Sequence, residues 1–430
     1  MTNDQNVRPP CRQIGANCHE IVLSFVIDAQ RSHLSSTTTI TPAAARTAMP
    51  AVLWPLLFGN FVIGTGVMVV PGTLNEISSS LDVSVATAGQ LISAGAVLMA
   101  LGAPLLAALV AGWDRRRLLA LAMVWYGALH VACIAAPSFA ALLPLRVLTM
   151  VSPAIFTPQA AACVGLLVPT EQRGRAITFI FLGWSLASVL GMPIGAFVGG
   201  TLGWRAAFGA VGLLSLASAF WVWRTMPDGV KPPALSAAAW RETLRSRALM
   251  LCVLVTVLYS AGQFVLFSYF APYYKFKIGI TPGQLSLLFM WFGAFGFLGN
   301  MLMSRHVDRI GAPRAVLLGI ASMAASLLIF PLGTNLVLAA LVSIPWALGC
   351  FSSNSAQQAR LVAIAPTLAA ASIALNSSAM YAGQAIGAAS GGWLIARGGM
   401  DTLHWAGFAG LLLAMAVSGL ATRYQGTHRA

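Results

Sequence analysis

Acidic residues are scarce in this sequence, which has 11 Asp and Glu among its 430 residues against 25 Lys and Arg. Charged residues of both signs make up 8% of the chain, whereas hydrophobic residues make up 58%. Soluble domains carry roughly 25% charged residues, because their surfaces must be hydrated. The shortage of charge therefore excludes an ordinary soluble fold and indicates a chain that is largely surrounded by lipid.

Several catalytic and cofactor motifs are also missing. The apolar runs contain no Ser-His-Asp set, no HExxH and no paired acids, and the chain has no GxxxxGK[ST] loop for nucleotide phosphates. Four of the six cysteines fall within apolar runs, which argues against a disulfide framework. Cys11, Cys18 and His19 match no metal-binding spacing. We therefore expect neither an enzyme nor a bound metal or cofactor.

Long apolar runs, by contrast, are abundant. A bilayer core about 30 Å thick requires roughly 20 mostly apolar residues per helix, and the alternating segments of an outer-membrane barrel are absent from the sequence. We predict an all-α polytopic membrane protein. Its twelve predicted transmembrane helices lie near residues 51–74, 86–110, 118–136, 139–165, 176–199, 205–223, 249–273, 284–304, 314–332, 335–357, 369–396 and 403–421.

The positions of the basic residues predict how the chain is oriented. If the chain starts in the cytoplasm, 20 of the 25 Lys and Arg lie on the cytoplasmic side, four lie outside, and Arg146 lies within predicted helix 4. This asymmetry is the positive-inside rule, so we predict that both termini are cytoplasmic. The net charge of +14 then reflects topology, and we expect no binding to nucleic acid.

The chain divides into two similar halves around a long polar break at residues 224–247. Three pairs recur at offsets of 194, 197 and 201 positions: Asp114-Arg115 with Asp308-Arg309, Pro169 with Pro366, and Trp204 with Trp405. Parallel repeats of this kind place a substrate path between the halves. The predicted segments are a disordered cytoplasmic leader (1–48, with Met49 as an alternative start), an N-terminal six-helix half (49–224), a cytoplasmic linker (225–247), a C-terminal six-helix half (248–423) and a cytoplasmic tail (424–430).

Four features make the chain resemble the major facilitator superfamily. They are the two Asp-Arg pairs, "PTEQRGRA" after predicted helix 4, "LGMPIGAFVGG" in predicted helix 5, and "GWRAAF" at 203–208. Together they are similar to the twelve-helix drug:proton antiporter branch, particularly its arabinose-efflux-like permeases. The resemblance implies a monomeric transporter of the cell inner membrane, whose partners are a small-molecule substrate, the lipid bilayer and protons.

The charged loops predict a latch between the halves at the cytoplasmic side. A loop carboxylate can accept charge-assisted hydrogen bonds from an arginine or a helix N-terminus of the other half. The alternative is that the arginines only enforce topology. Val110 and Ser304 stand where the family motif usually has glycine, and the first loop is shorter. The predicted latch residues are Asp114, Arg115, Asp308, Arg309, Gly311 and Arg314.

Predicted helix 5 is unusually rich in glycine and contains one proline. Gly191, Pro193 and Gly195 lie in the stretch that resembles the glycine–proline motif of the antiporter branch. Glycines four apart let another backbone approach, and proline removes a backbone hydrogen bond. We predict a bending helix at the interface between the halves, with ordinary close packing as the alternative.

Two basic side chains within predicted helices are candidates for coupling, because charge at bilayer depth is costly. Arg146 matches the arginine of the family's helix 4 motif, which the resemblance implicates in proton transfer, although Met150 replaces a glycine of that motif. His130 on predicted helix 3 could titrate. The alternatives are an arginine that extends to the outer interface and a histidine that packs.

Polar and aromatic side chains at helical spacing predict a substrate surface. Amides supply directed hydrogen bonds and aromatic rings meet apolar parts of a solute, whereas packing between helices is the alternative. The candidates are Tyr259, Gln263 and Phe267 on predicted helix 7, Trp346, Asn354 and Gln357 on predicted helix 10, and Asn60, Gln90 and Asn376 elsewhere.

These features predict a secondary-active transporter that works by alternating access. The resemblance favours proton-coupled export of small amphiphilic or sugar-like solutes. No acidic residue lies in the middle of a predicted span, which favours the alternative of an uncoupled facilitator or importer.

Overall fold

The computed structural model describes residues 50–169, 172–231 and 237–427. The predicted leader lies outside these residues, as does part of the predicted linker. Among the described residues, the N-terminal half contains six long helices: α1 (Leu53–Ser80), α2 (Val85–Leu109), α3 (Arg115–Ile134), α4 (Phe139–Thr149 and Val151–Leu167), α5 (Arg173–Leu202) and α6 (Trp204–Thr225).

A short linker helix, Ala237–Arg245, leads into the C-terminal half. The long helices that the structure describes in this half are α7 (Arg247–Phe267, followed by the shorter Phe270–Ile278), α8 (Pro282–Ile310), α9 (Ala312–Ile329), α10 (Leu336–Ile364), α11 (Ala369–Ala396) and α12 (Leu403–Thr427). Helix α12 therefore extends into the predicted tail.

The long helices confirm the predicted fold class. Within the described residues, eleven of them are long and apolar enough to cross a membrane. The twelfth, α11, has 28 residues, about 42 Å at 1.5 Å per residue, but its glycines, serines and amides make it less apolar. It packs against α7 and α2, so it spans the bundle with protein on both sides.

Proline interrupts several helices, because it cannot donate to the carbonyl four residues earlier. In α5 the interruption is a π turn, Ala187–Gly191, in which the N–H of Met192 bonds to the carbonyl of Ala187 just before Pro193. The turn lies in the stretch that is predicted to bend, and the bending itself stays a prediction. Two further kinks occur at similar places in the two halves: Thr73 in α1 (φ −117°, ψ 15°) and Tyr269 after α7 (φ −116°, ψ 23°).

Two glycine ladders show the repeat in the packing. Glycines on α5 pack on α1, and glycines on α11 pack on α7, with each contacting pair 126 positions apart. At most of these glycines a Cβ atom would overlap the facing helix, so the pairs allow close approach. The pairs are Gly191–Thr65, Gly195–Val69 and Gly199–Thr73 in one half, and Gly383–Val257, Gly387–Ala261 and Gly391–Val265 in the other.

The halves meet at one end of the bundle. We call the end that carries the α2–α3 loop (110–114) and Gly311 the basic end, and the opposite end the far end. Helix α2 buries residues from Leu91 to Met99 but none from 100 to 109, and α8 buries residues from Leu285 to Gly299 but none from 300 to 310, all of which are described. Across the interface, the Ser286 hydroxyl donates to the Pro193 carbonyl at 2.8 Å. The structure is therefore closed at the far end.

Candidate functional site

A polar trio joins three helices of the N-terminal half. Asn60 of α1 is fully buried, its amide nitrogen donates to the Ile180 carbonyl at 3.2 Å, and its amide oxygen accepts from Thr157 of α4 at 2.8 Å. The indole N–H of Trp184 on α5 reaches the same Thr157 hydroxyl at 3.4 Å. Because Thr157 and Trp184 are only partly buried, the N-terminal trio (Asn60, Thr157, Trp184) lies at the edge of an accessible surface.

A second trio joins the corresponding helices of the C-terminal half. The Thr256 hydroxyl of α7 donates to the amide oxygen of Asn376 on α11 at 2.6 Å, and the amide nitrogen of Asn376 donates to Asn354 on α10 at 3.0 Å. Asn354 is partly exposed. The C-terminal trio (Thr256, Asn354, Asn376) follows the N-terminal trio by 196, 197 and 192 positions, helix by helix. The two halves thus carry hydrogen-bonding clusters at equivalent places.

The predicted substrate residues on α7 and α10 lie in two kinds of surroundings, one polar and one aromatic. Tyr259 is buried and its hydroxyl lies 3.5 Å from the sulfur of Met380, while Gln357 donates to the Cys252 carbonyl. Nearer the far end, the ring centroids of Phe267 and Trp346 lie 6.0 Å apart in one aromatic cluster. Further rings of this cluster belong to Phe270, Phe292 and Phe330.

Gln90 lies elsewhere. It is exposed and stands at the start of the long part of α2, at the far end of the bundle. Because Gln90 lies one turn from the start of predicted helix 2, its polarity fits the end of a membrane helix better than the lining of a cavity. The structure therefore places Gln90 outside the two trios, and sequence reasoning missed Thr157, Trp184 and Thr256, which carry no local signal of their partners.

Arg146 is buried within the N-terminal half, at 2% exposure, and is bonded to α1. Its Nη2 atom donates to the carbonyl of Gly66 at 2.9 Å and approaches that of Val67 at 3.4 Å. Pro71 lies four residues after Val67 and cannot supply the usual helical donor, so Val67 needs another one. Arg146 fills that need, which the sequence does not reveal.

His130 is fully buried on α3, close to the same region. Its Nδ1 lies 2.8 Å from the Tyr126 carbonyl, and its ring contacts those of Tyr126 and Phe208, with centroids 4.3 and 5.6 Å away. The guanidinium of Arg146 also lies over Phe208, at 5.8 Å. Both coupling candidates therefore share one aromatic neighbour, and their coupling role stays a prediction.

Comparison with known proteins gives the family. A sequence model described as "Major Facilitator Superfamily" matches residues 56–366 and 252–428. The chain belongs to the major facilitator superfamily. It is therefore a membrane transporter, and the two trios lie in the two halves of a facilitator fold.

Several known proteins are similar to this chain. A chloramphenicol resistance protein of Streptomyces lividans is 34% identical over 265 residues, 61% of this chain and 68% of its own. The inner membrane transport protein YdhP of Escherichia coli (strain K12) is 30% identical over 351 residues, 80% and 89% of the two chains. A solved bacterial homolog of the human lysosomal transporter Spinster shares the fold, with a TM-score of 0.70 and 20% identity over 86% of this chain and 96% of that chain.

The first charged loop contacts its own half and the segment that follows α6. Asp114 is the N-cap of α3, where one carboxylate oxygen accepts from the Arg117 N–H at 3.2 Å and the other from the Gly229 N–H at 2.6 Å. Arg115 is buried and donates to carbonyls at the end of α2 and in the loop, those of Val110, Ala111 and Trp113. These contacts close the loop onto the segment after α6.

The second charged loop is arranged differently. Asp308 lies within α8, and Gly311 (φ +85°) forms the turn into α9. Because α3 and α9 begin 197 positions apart, at Arg115 and Ala312, Asp114 stands directly before its helix, whereas Asp308 stands four residues before its own. This difference reflects the shorter stretch that follows the aspartate in the first loop, and the equivalent role of the two aspartates stays a prediction.

The remaining latch candidates are accessible. Asp308, Arg309 and Arg314 are exposed, and within the described residues Asp308 makes no hydrogen bond or ion pair. A latch that forms when the basic end closes would be open in a structure closed at the far end. The latch role of these residues therefore stays a prediction.

Proposed function

We propose that this facilitator exports small amphiphilic molecules by proton-coupled antiport across the inner membrane. The main support is the pair of equivalent polar trios, one in each half, in a bundle that is closed at the far end. A solute held between the trios would reach one side when the far end is closed and the other after the halves rock. The basic residues orient the far end outward.

The similarity to a chloramphenicol resistance protein supports export and suggests a test compound. Chloramphenicol combines an aromatic ring with hydroxyl and amide groups, which suits a site of amides, hydroxyls and aromatic rings. Accumulation can be measured in inverted membrane vesicles, in which the basic end faces the medium. We expect uptake of labelled chloramphenicol that requires an acidic vesicle interior.

Two variants make the test specific to the site. Asn354→Leu removes a partly exposed amide of the C-terminal trio, and we expect uptake to fall by about tenfold, the worth of one hydrogen bond. Ser377→Ala, next to Asn376 but exposed and bonded to its own helix, is the matched control and should transport normally. Equal uptake by both variants would show that the C-terminal trio does not bind the substrate.

An uncoupled facilitator is the second candidate. Within the described residues, each Asp and Glu lies in a loop or near a helix end, so no carboxylate stands at the middle of the bundle. Under this alternative, vesicles would equilibrate chloramphenicol at the same rate with and without the pH gradient, and would not concentrate it.

A further inference from the structure

Helices α7 and α11 run side by side, and their polar residues meet at successive turns. Thr256 donates to Asn376 at 2.6 Å, and one turn later the Ser260 hydroxyl donates to the Met380 carbonyl at 2.6 Å. Tyr259 contacts the Met380 sulfur in the same turn. The next turn towards the far end brings Gln263 of α7 to the level of Gln384 of α11, which keeps the spacing of 121 positions seen for Tyr259 and Met380.

The two glutamines at this level lack partners. They are 3% and 9% exposed, and neither makes a hydrogen bond to any described residue. Buried amides are nearly always paired, since an unpaired one loses its hydrogen bonds to water. The fully sealed unpaired atoms of the described residues include Trp346 Nε1 and Gln357 Oε1, but no amide atom of Gln263 or Gln384. The two amides thus lie in side chains that are almost wholly buried, but their polar atoms are not completely sealed.

The surroundings of this pair define what it can bind. On the far side, Phe267 follows Gln263 by one turn and belongs to the aromatic cluster around Trp346. On the basic side lies the hydroxyl of Tyr259. Arg146, the buried arginine of α4 in the other half, is already bonded to carbonyls of α1. Primary amides both donate and accept, so they suit a neutral hydroxyl or amide group better than an ion.

We propose that Gln263 and Gln384 recognise the hydrogen-bonding group of an uncharged solute whose apolar part lies against the aromatic cluster. This inference rests on the proposed function and adds the substrate class, namely neutral amphiphiles rather than organic cations or anions. The residues named around the two amides offer an aliphatic cation no carboxylate, and they offer a carboxylate solute no basic side chain.

Equilibrium binding to the purified full-length protein tests the inference. The probes are chloramphenicol, tetraphenylphosphonium and tetraphenylborate, which are neutral, cationic and anionic. We expect the wild type to prefer chloramphenicol, and Gln263→Ala and Gln384→Ala each to weaken that binding by about tenfold. Gln263→Glu should gain binding of tetraphenylphosphonium, because it places a carboxylate against the cation. Gln90→Ala, at the exposed glutamine of α2, is the matched control and should bind as the wild type does.

Thermal stability separates recognition from a structural role. Neither glutamine holds an intramolecular hydrogen bond, so the melting temperatures of the alanine variants should stay close to that of the wild type. A wild type that prefers either ion, or alanine variants that bind chloramphenicol normally, would overturn the inference. The vesicle assay reports on transport separately, so export could stand while this site assignment falls.

Discussion

At the scale of single residues, Arg146 shows how one side chain can serve a helix and a predicted mechanism together. Pro71 leaves the Val67 carbonyl without its helical donor, and Arg146 approaches that carbonyl while bonding firmly to Gly66. The guanidinium fork can reach both oxygens, whereas an ammonium is a point charge. The arginine therefore ties α4 to α1 two turns before the kink at Thr73.

A paired substitution separates the two roles of Arg146. Arg146→Met leaves the Val67 carbonyl unpaired, and we expect a stability loss of about 1–3 kcal/mol. Adding Pro71→Ala restores an N–H four residues after Val67, so the double variant should recover much of that loss in thermal unfolding. We expect gradient-driven uptake to stay absent in both variants, because neither restores a charge near His130.

Two outcomes would contradict this account of Arg146. If Pro71→Ala gives no recovery of stability, the proline does not explain the arginine's contact with α1. If the double variant regains gradient-driven uptake, Arg146 acts through the helix alone and the coupling prediction fails.

At the scale of elements, the glycine ladders set how closely helices of one half pack. A Cβ atom at Gly191 would overlap the Thr65 hydroxyl, whereas one at Gly195 would lie 3.2 Å from the Val69 side chain. The same faces carry the π turn of α5, so close packing and irregular hydrogen bonding coincide there. This arrangement lets α5 contact α1 on one face and α8 on another.

Alanine substitutions on α5 test the ladder. Gly191→Ala should destabilise the protein by about 1–3 kcal/mol through overpacking, measured by thermal unfolding in detergent. Gly174→Ala, on the same helix with no atom within 4 Å of its added Cβ, is the matched control and should be neutral or slightly stabilising. Thr65→Ala should recover part of the loss, because it removes the hydroxyl that overlaps. A stable Gly191→Ala variant would show that α5 and α1 do not pack as described.

Much of this element structure was predictable, and some was not. Twelve apolar runs predict twelve helices because lipid forces every backbone group to pair within its own segment. Asn60, Asn354 and Asn376 stand out in the sequence because amides in apolar runs are conspicuous. Their partners Thr157 and Thr256 were missed, since pairing across helices depends on register that no single run reveals. The π turn was foreseen only as a bend near Pro193.

At the scale of the whole molecule, two kinds of close helix contact can be distinguished, one between the halves at the far end and one within a single half. Helix α5 meets α8, where a Cβ atom at Gly200 would lie 2.5 Å from that of Pro282. Within the N-terminal half, a Cβ atom at Gly72 of α1 would lie 3.0 Å from that of Ala196 on α5. If transport needs the halves to separate here, the first contact must break in each cycle and the second must not.

Disulfides between paired cysteines test whether each of these two contacts must break during transport. In a background without the native cysteines, Gly200→Cys with Pro282→Cys should form a disulfide after a small local shift, since the two Cβ atoms need about 3.5–4.5 Å. Oxidation should then stop uptake in vesicles, and a reductant should restore it. Gly72→Cys with Ala196→Cys joins two helices of one half, so its oxidised form should keep transporting. Normal uptake by the oxidised Gly200–Pro282 pair would mean that the far end need not open, and equal inhibition of both pairs would mean that each half deforms internally instead of moving as a rigid body.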